Sequence, residues 1–249
     1  MKRPLLCALL FLLEAPRLLA QPSPAAVAAF NAYTQAVESR LAQQHRNPTA
    51  FLNPEPTHLT DSQIDRLTPP SLDVPGALLH HWRGTAFAPG ATPADFDRLL
   101  RDFNAYPQHF SPQVVQAHAV TPTTGPTQAF LRIRQHHVLT VVMDTAYDVT
   151  FAQLDAAHGY SISRSTHIDE LDSDNHPLTP AQDHGFLWRL NSYWSYEQRD
   201  GGLYLQLEAV SLTRNIPHGL AWAVGPYIES IPRESLEFTL RSAVNAIRK

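Results

Sequence analysis

Hydrophobic and polar residues alternate with a period of two along most of the chain between positions 114 and 214. Such alternation indicates strands with one buried face and one face in contact with water. The links between the segments are short and contain turn residues such as His158-Gly159, which predicts antiparallel hairpins, because a parallel pair needs a longer crossover. Six segments fit this pattern: 114–120, 128–140, 142–154, 159–171, 186–199 and 203–214.

Three helical segments and one further strand surround this meander. Residues 25–45 and the stretch after Pro93 repeat apolar residues at spacings of three and four, and residues 77–87 form a candidate first strand. A last helix is predicted to begin near Ser230, which would cap it, with Pro232 in its first turn. Its apolar stripe would cover the concave face of the sheet and consists of Leu236, Leu240, Ala243, Val244 and Ile247.

The first twenty residues have the pattern of a Sec-type secretory signal peptide. Lys2 and Arg3 precede the short apolar run 5–13, and Ala20 is a small residue suitable for cleavage. This predicts a periplasmic or secreted protein with no transmembrane span after cleavage, and retention of the segment as a membrane anchor is the alternative. Cys7 is the single cysteine and would leave with the peptide, so the mature chain would be free of thiols, disulfides and cysteine-bound metals.

Composition restricts the partners. Of the 249 residues, 43% are hydrophobic and 17% charged, which is ordinary for a globular protein. The net charge of −4 becomes −6 without residues 1–20, which carry three basic residues and one acidic residue. Nucleic acid is therefore not an expected partner, because its binding needs a basic face. Transient contact with a membrane surface or an envelope protein stays open.

Several local sequences resemble those of one superfamily. They are Phe103 to Pro107 followed by Phe110-Ser111-Pro112, Trp194 ahead of the turn at Gly201-Gly202, and the run from Leu212 to Pro217. Together with the order of elements, they resemble the helix-grip superfamily, which includes START lipid-transfer domains, birch-pollen-allergen-like proteins and polyketide cyclase/dehydrase-like proteins.

The resemblance covers about residues 77–249 and implies an α+β fold. In this fold a curved antiparallel sheet of about seven strands wraps around a long C-terminal helix and holds a hydrophobic molecule between them. We therefore divide the chain into a signal peptide at 1–20, an N-terminal helix with a proline-rich connector at 21–76, and a helix-grip domain at 77–249.

The predicted ligand site is the concave face of the sheet with the stripe of the last helix. Polar residues at inward positions are informative, because burial of an unpaired polar group costs about 1–3 kcal/mol. Arg164 could anchor the carboxylate or phosphate of an amphipathic ligand, unless a bulge or a register slip turns it outward. The predicted lining residues are Arg164, His137, Gln135, Ser192, Trp188, Trp194, Tyr196, Leu205, Leu207, Leu236, Leu240 and Val244.

Candidates for catalysis or metal binding are few. His137 could act as a general base or be a core residue, and Tyr147 could serve as a proton shuttle. The pairs His80-His81 and His136-His137 would point to opposite faces of their strands, so neither chelates as a unit and no metal is expected. The acidic stretch 169–176 lacks the central glycine and closing glutamate of a calcium-binding EF-hand loop, and we interpret it as a solvated hairpin tip.

Three functional hypotheses follow. We prefer an exported binding or transport protein, without a cofactor, for a hydrophobic or amphipathic small molecule such as a lipid, an isoprenoid or a polycyclic compound. A cavity below a few hundred Å³ would count heavily against ligand storage. The second hypothesis is a cyclase- or dehydratase-like enzyme that uses His137 with an inward acid, or Tyr147, as proton shuttles. The third is an envelope interaction module in which the helix at 25–45 docks a partner.

Overall fold

The computed structural model describes residues 21–53, 62–67, 74–120, 122–136, 140–215 and 221–248, with side chains in the last range from Ser230 onward. The predicted signal segment 1–20, with Cys7, and His137 lie outside the described residues. The helices and strands are α1 (Pro24–Gln44), β1 (Gln63–Arg66), β2 (Ala77–Pro89), α2 (Pro93–Arg101), α3 (Tyr106–His109), β3 (Val114–Val120), β4 (Thr127–His136), β5 (Thr140–Gln153), β6 (His158–Glu170), β7 (Arg189–Arg199), β8 (Gly202–Arg214) and α4 (Ala221–Ile247).

The eight strands form one curved antiparallel sheet in the order β1-β2-β8-β7-β6-β5-β4-β3. Strands β3 to β8 pair with their neighbours in sequence, through short links except for the longer segment 171–188 between β6 and β7, and β2 pairs with β8 over its whole length. The sheet has one strand more than the seven predicted, because β1, inside the proline-rich connector, pairs with β2. The predicted helix-grip architecture, a curved sheet around a long C-terminal helix, is confirmed.

Helix α4 lies on the concave face. Its residues Leu236, Leu240 and Ala243 are buried against Leu205 and Leu207 of β8. The predicted helix start near Ser230 was wrong, because α4 begins at Ala221.

Pro232 therefore lies inside α4 rather than in its first turn. Proline is common in the first turn of a helix, and for this reason the sequence predicted that α4 begins near Ser230. Inside a helix a proline removes one backbone hydrogen bond and crowds the preceding turn, at a cost of about 3 kcal/mol. Tertiary packing of an apolar stripe can outweigh such a local preference.

Helix α1 covers the opposite, convex face of the sheet. Phe30, Val37 and Leu41 are buried in one cluster with Val210 and Leu212 of β8. The apolar face of α1 is thus occupied by the sheet and is not available to dock a partner protein. None of the helices in the described ranges is long and apolar enough to cross a lipid bilayer.

Candidate ligand site

A cavity of about 200 Å³ lies between the concave face of the sheet and α4. Leu131 on β4, Val149 on β5 and Leu190 on β7 form its sheet wall, and Phe238 and Ala243 form the wall on α4. The side chains of these residues leave the space between sheet and helix unfilled at this place.

The cavity exists because α4 lies to one side of the sheet. The helix contacts β2 and β8, and at Gly84 of β2 an added Cβ atom would overlap the side chains of Leu236 and Leu240. The part of the concave face formed by β4 to β7 is therefore not filled by α4. Four aromatic residues around α2 and α3 close this side: Phe96, Phe103, Tyr106 and Phe110.

Three serines form a polar strip on this apolar wall. Ser163 of β6 and Ser192 of β7 are directly opposite each other in the strand register, and Ser161 of β6 lies opposite Trp194. All three line the cavity, and we call them the serine strip. Within the described part of the chain, their hydroxyl groups make no hydrogen bond to another side chain.

Other polar groups of the cavity are already partnered. The Nε2 atom of Gln135 donates a hydrogen bond of 3.0 Å to the Oγ atom of Ser235, which ties the end of β4 to α4. The hydroxyl of Thr239 donates to the carbonyl of Ser235 at 2.8 Å, and the hydroxyl of Tyr106 donates to the carbonyl of Leu100 at 2.9 Å. These groups fix the walls rather than face the space freely.

The described lining carries no charge. It contains no Asp, Glu, Lys, Arg or His side chain. Burial raises the pKa of Tyr147 to about 12 and also raises the pKa of Tyr106, so both phenols are neutral near pH 7. A cavity of this kind suits an uncharged molecule, because an unpaired charge in an apolar space is strongly unfavourable.

Some of the predicted lining residues line the cavity, whereas others pack in the core around it. Gln135, Ser192 and Trp194 line the cavity, and so does Tyr147. Six others lie on the same concave side but belong to the packed core that holds α2 and α4 on the sheet: Tyr196, Leu205, Leu207, Leu236, Leu240 and Val244. His137 lies outside the described residues.

Two predicted lining residues lie on the wrong face for this role. The guanidinium of Arg164 points to the convex side, where its Nε and Nη2 atoms each donate a 2.8 Å hydrogen bond to the carboxylate of Glu38 on α1. Trp188 packs in the cluster beneath α1. The inward placement of both was wrong.

The reason for both corrections is that the sheet is buried on two faces. Ile162, next but one to Arg164 on β6, is apolar but does not face the cavity, because it packs in the cluster beneath α1. Trp188 precedes the first residue of β7, so the alternation of that strand does not extend to it. Ser161 and Ser163 were missed for the same reason, since an outward Arg164 would have placed them inward.

The acidic tip between β6 and β7 has the geometry of a turn. Ligand atoms of Asp172, Asp174 and His176 lie within 4.8 Å of one another. The Oδ1 atom of Asp172 accepts hydrogen bonds from the backbone N–H groups of Asp174 and His176, which lower the pKa of Asp172. The carboxylate of Asp172 thus stabilises the turn itself.

No protein-family model matches the sequence, and no curated protein matches it. Solved structures similar to the chain include a START superfamily protein from Mycobacterium smegmatis (14% identity, TM-score 0.46, 67% of this chain and 96% of that one). An aromatase/cyclase from Streptomyces sp. R1128 has 13% identity and a TM-score of 0.47 over 68% of this chain and 93% of that one. A STAR-related lipid transfer protein from Xanthomonas axonopodis has 18% identity and a TM-score of 0.42 over 72% of this chain and 98% of that one.

Proposed function

We propose that the protein binds a compact, uncharged and largely apolar molecule between the sheet and α4. The observation that carries this proposal is the cavity of about 200 Å³ that the surrounding side chains do not fill. Protein interiors otherwise pack about as densely as organic crystals, so a space of this size needs a reason. In another protein, an engineered apolar cavity of about 150 Å³ takes up benzene. The present cavity therefore has room for a molecule of one or two rings.

The volume narrows the class of ligand. Small-molecule sites typically enclose about 300–1,000 Å³. At about 200 Å³ the cavity is below this range, which counts against the storage role expected from the sequence and excludes a complete phospholipid or a four-ring compound from this space. Of the expected lipid, isoprenoid and polycyclic ligands, we retain the small members, such as a substituted bicyclic aromatic compound or a short isoprenoid.

The serine strip adds a requirement for polarity. Ser163 and Ser192 are half-buried, and a hydrogen bond between a ligand oxygen and one of their hydroxyl groups would contribute about 0.5–1.5 kcal/mol. The ligand we propose therefore carries one hydroxyl or carbonyl group that faces Ser163 and Ser192, and its apolar part contacts Leu131, Trp194 and Phe238.

A binding role fits this cavity better than the cyclase- or dehydratase-like alternative. The phenol of Tyr147, with a pKa of about 12, can donate a hydrogen bond but is a poor proton shuttle near neutral pH. The described lining offers no carboxylate or imidazole that could act as a general base. A catalytic role would need such a group within hydrogen-bonding distance of the ligand.

We further propose that the protein acts outside the cytoplasm, as an exported carrier. This rests on the charged start, apolar run and small residue at position 20 within the first twenty residues. Cell fractionation and intact-mass measurement test it. Recovery of a periplasmic or secreted chain shortened near Ala20 supports export with cleavage, and a full-length chain in the membrane fraction supports an anchor instead.

The binding proposal is tested by titrating the full chain with three probes that differ in polarity: 2-naphthol, naphthalene and 2-naphthoate. We expect naphthol to bind more tightly than naphthalene, and naphthoate not to bind, because the described lining is uncharged but carries the serine strip. Replacing both Ser163 and Ser192 by alanine is expected to abolish the preference for naphthol. Thr239→Phe is the control that fills the cavity from α4. Failure of naphthol to bind, or equal binding to a folded Thr239→Phe variant, would overturn the proposal.

A further inference from the structure

On the convex face of the sheet, residues directly behind the serine strip form hydrogen bonds to helix α1. Successive residues of a strand point to opposite faces, so the strand neighbours of an inward serine point outward. Arg164 follows Ser163 on β6, and Asn191 and Tyr193 flank Ser192 on β7. Arg164 and Asn191 are themselves register partners, one step from the pair formed by Ser163 and Ser192.

One carboxylate on α1 joins these outward residues. The guanidinium of Arg164 donates two hydrogen bonds of 2.8 Å to the two oxygens of Glu38. The hydroxyl of Tyr193 donates to Glu38 Oε1 at 3.2 Å, and the Nδ2 atom of Asn191 donates to the hydroxyl of Tyr193 at 3.2 Å. Glu38 therefore links β6 to β7 directly behind the two opposed serines.

A second contact of the same kind lies further along the two strands. The Nε2 atom of His45 is 2.8 Å from the Oγ atom of Ser195 on β7. The ring of His45 stacks on Tyr160 of β6, with 4.6 Å between the ring centres. Ser195 and Tyr160 are register partners, adjacent to Trp194 and Ser161 on the cavity side. The end of α1 thus joins the same two strands again.

We propose that α1 positions the serine strip from behind, with Glu38 as the positioning residue. This inference rests on the proposed function of the cavity, because it concerns the polar group of the ligand. Hydroxyl hydrogen bonds have a narrow range of distance, about 2.5–3.0 Å, and weaken steeply when misaligned. A small change in the spacing of β6 and β7 would therefore weaken contacts to a ligand hydroxyl, while apolar contacts would tolerate it.

The chain offers a matched control for this inference. Arg40 on α1 forms an ion pair with Glu208 on β8, and the side chains of Arg40 and Arg164 are 40% and 42% exposed. The concave neighbours of Glu208 are Leu207 and Ala209, which pack in the core with α4 and do not line the cavity. Glu208 lies on β8, on the far side of β7 from β6, so removal of the Arg40 contact loosens α1 without breaking the hydrogen bonds that join β6 to β7 behind the serine strip.

The experiment compares dissociation constants of naphthol and naphthalene for the full-length wild type, Glu38→Gln and Arg40→Gln. We expect Glu38→Gln to weaken naphthol binding about five- to tenfold, the size of one lost hydrogen bond, without a change for naphthalene. Arg40→Gln is expected to leave both constants unchanged. The charge-swapped pair Glu38→Arg with Arg164→Glu is expected to restore part of the naphthol binding, because it re-forms the ion pair although an arginine at position 38 cannot accept the hydrogen bond from Tyr193.

Two outcomes would overturn the inference: unchanged naphthol binding in Glu38→Gln, or an equal loss for naphthol and naphthalene. If the wild type does not bind naphthol at all, the proposed function itself fails. Tyr193→Phe is the second variant and removes only the hydroxyl that joins Glu38 to β7. We expect it to weaken naphthol binding selectively as well, so a folding defect in Glu38→Gln leaves the inference testable.

Discussion

Gly84 on β2 lies against Leu240 on α4, so closely that a Cβ atom on Gly84 would overlap the leucine side chain. This contact determines how near α4 approaches the sheet and places it over β2 and β8. The cavity is the consequence, because the side chains of α4 do not fill the space over the middle of strands β4 to β7.

The first prediction concerns this contact. Gly84→Ala is expected to lower the free energy of unfolding by about 1–3 kcal/mol, because the added methyl group forces α4 away from β2. In a Leu240→Ala background the same change should cost less, since the nearest overlapping side chain has been shortened. Urea unfolding of the four proteins measures both effects. Equal costs in the two backgrounds would show that the contact does not set the position of α4.

The second prediction concerns a buried polar pair beneath α1. The Nε2 atom of His81 lies 2.9 Å from the carboxylate of Glu208, with side chains 3% and 1% exposed, and the hydroxyl of Tyr33 lies 3.0 Å from the Nδ1 atom of His81. Burial alone would raise the pKa of Glu208, but the hydrogen bond from His81 and the charge of Arg40 outweigh it and lower the pKa. Loss of His81 would leave this carboxylate buried with a single polar partner.

His81→Ala is therefore expected to destabilise the protein by about 3 kcal/mol, the usual cost of removing one partner from a buried pair. The comparison is Arg132→Ala, which breaks the bidentate pair of Arg132 with Asp144 on β4 and β5. That pair is partly exposed, so its loss should cost about 1 kcal/mol or less. Chemical unfolding of both variants distinguishes the two sites, and an equal cost would contradict this description of the network.

The third prediction concerns His45 and acid. Burial lowers the pKa of His45 from 6.5 to about 4, and the charge of Glu208 opposes this shift. Between these two pKa values the unfolded chain therefore binds more protons at His45 than the folded chain does. The stability that neutral His45 contributes to the fold is lost as the pH falls from about 6.5 to about 4. We expect the free energy of unfolding to fall by about 2 kcal/mol over this pH range, after allowance for the partial exposure of the ring.

Thermal or urea unfolding across this pH range, compared with His45→Gln, measures the effect. Glutamine can retain a hydrogen bond to Ser195 but does not titrate, so its stability curve should be flatter between pH 6.5 and 4. Protonation of Glu208 affects stability at lower pH, because the pKa of Glu208 in the folded protein lies below its ordinary value of 4.5. Parallel curves for the wild type and His45→Gln would show that His45 is not the titrating group.

Much of the sheet could be predicted from the sequence, because alternation and turn residues are local signals. The segment predicted at 142–154 is the strand Thr140–Gln153, and that at 203–214 is the strand Gly202–Arg214. The orientation of β6 could not be predicted in the same way. Its alternation is weak, and the burial of Ile162 comes from α1, which is more than a hundred residues away in the sequence.

The sequence predicted which face of the sheet carries the site, but not which residues on that face line the cavity. Gln135 and Trp194 line the cavity, and both alternate with outward residues on clear strands. Whether an inward residue faces the cavity or packs against α4 depends on where the helix crosses the sheet. That position is set by a tertiary contact at Gly84 and leaves no local pattern around Leu205 or Leu236.

The fourth prediction tests the central claim most directly, by locating a compact neutral ligand in a crystal. Crystals of the protein soaked in para-iodophenol should show one strong anomalous peak for iodine between the sheet and α4, near Leu131 and Phe238, with the phenol oxygen toward Ser192. Thr239→Phe crystals soaked in the same way should lack this peak. Iodine bound only at the protein surface, with the cavity closed by its own side chains, would contradict the claim that this space holds a ligand.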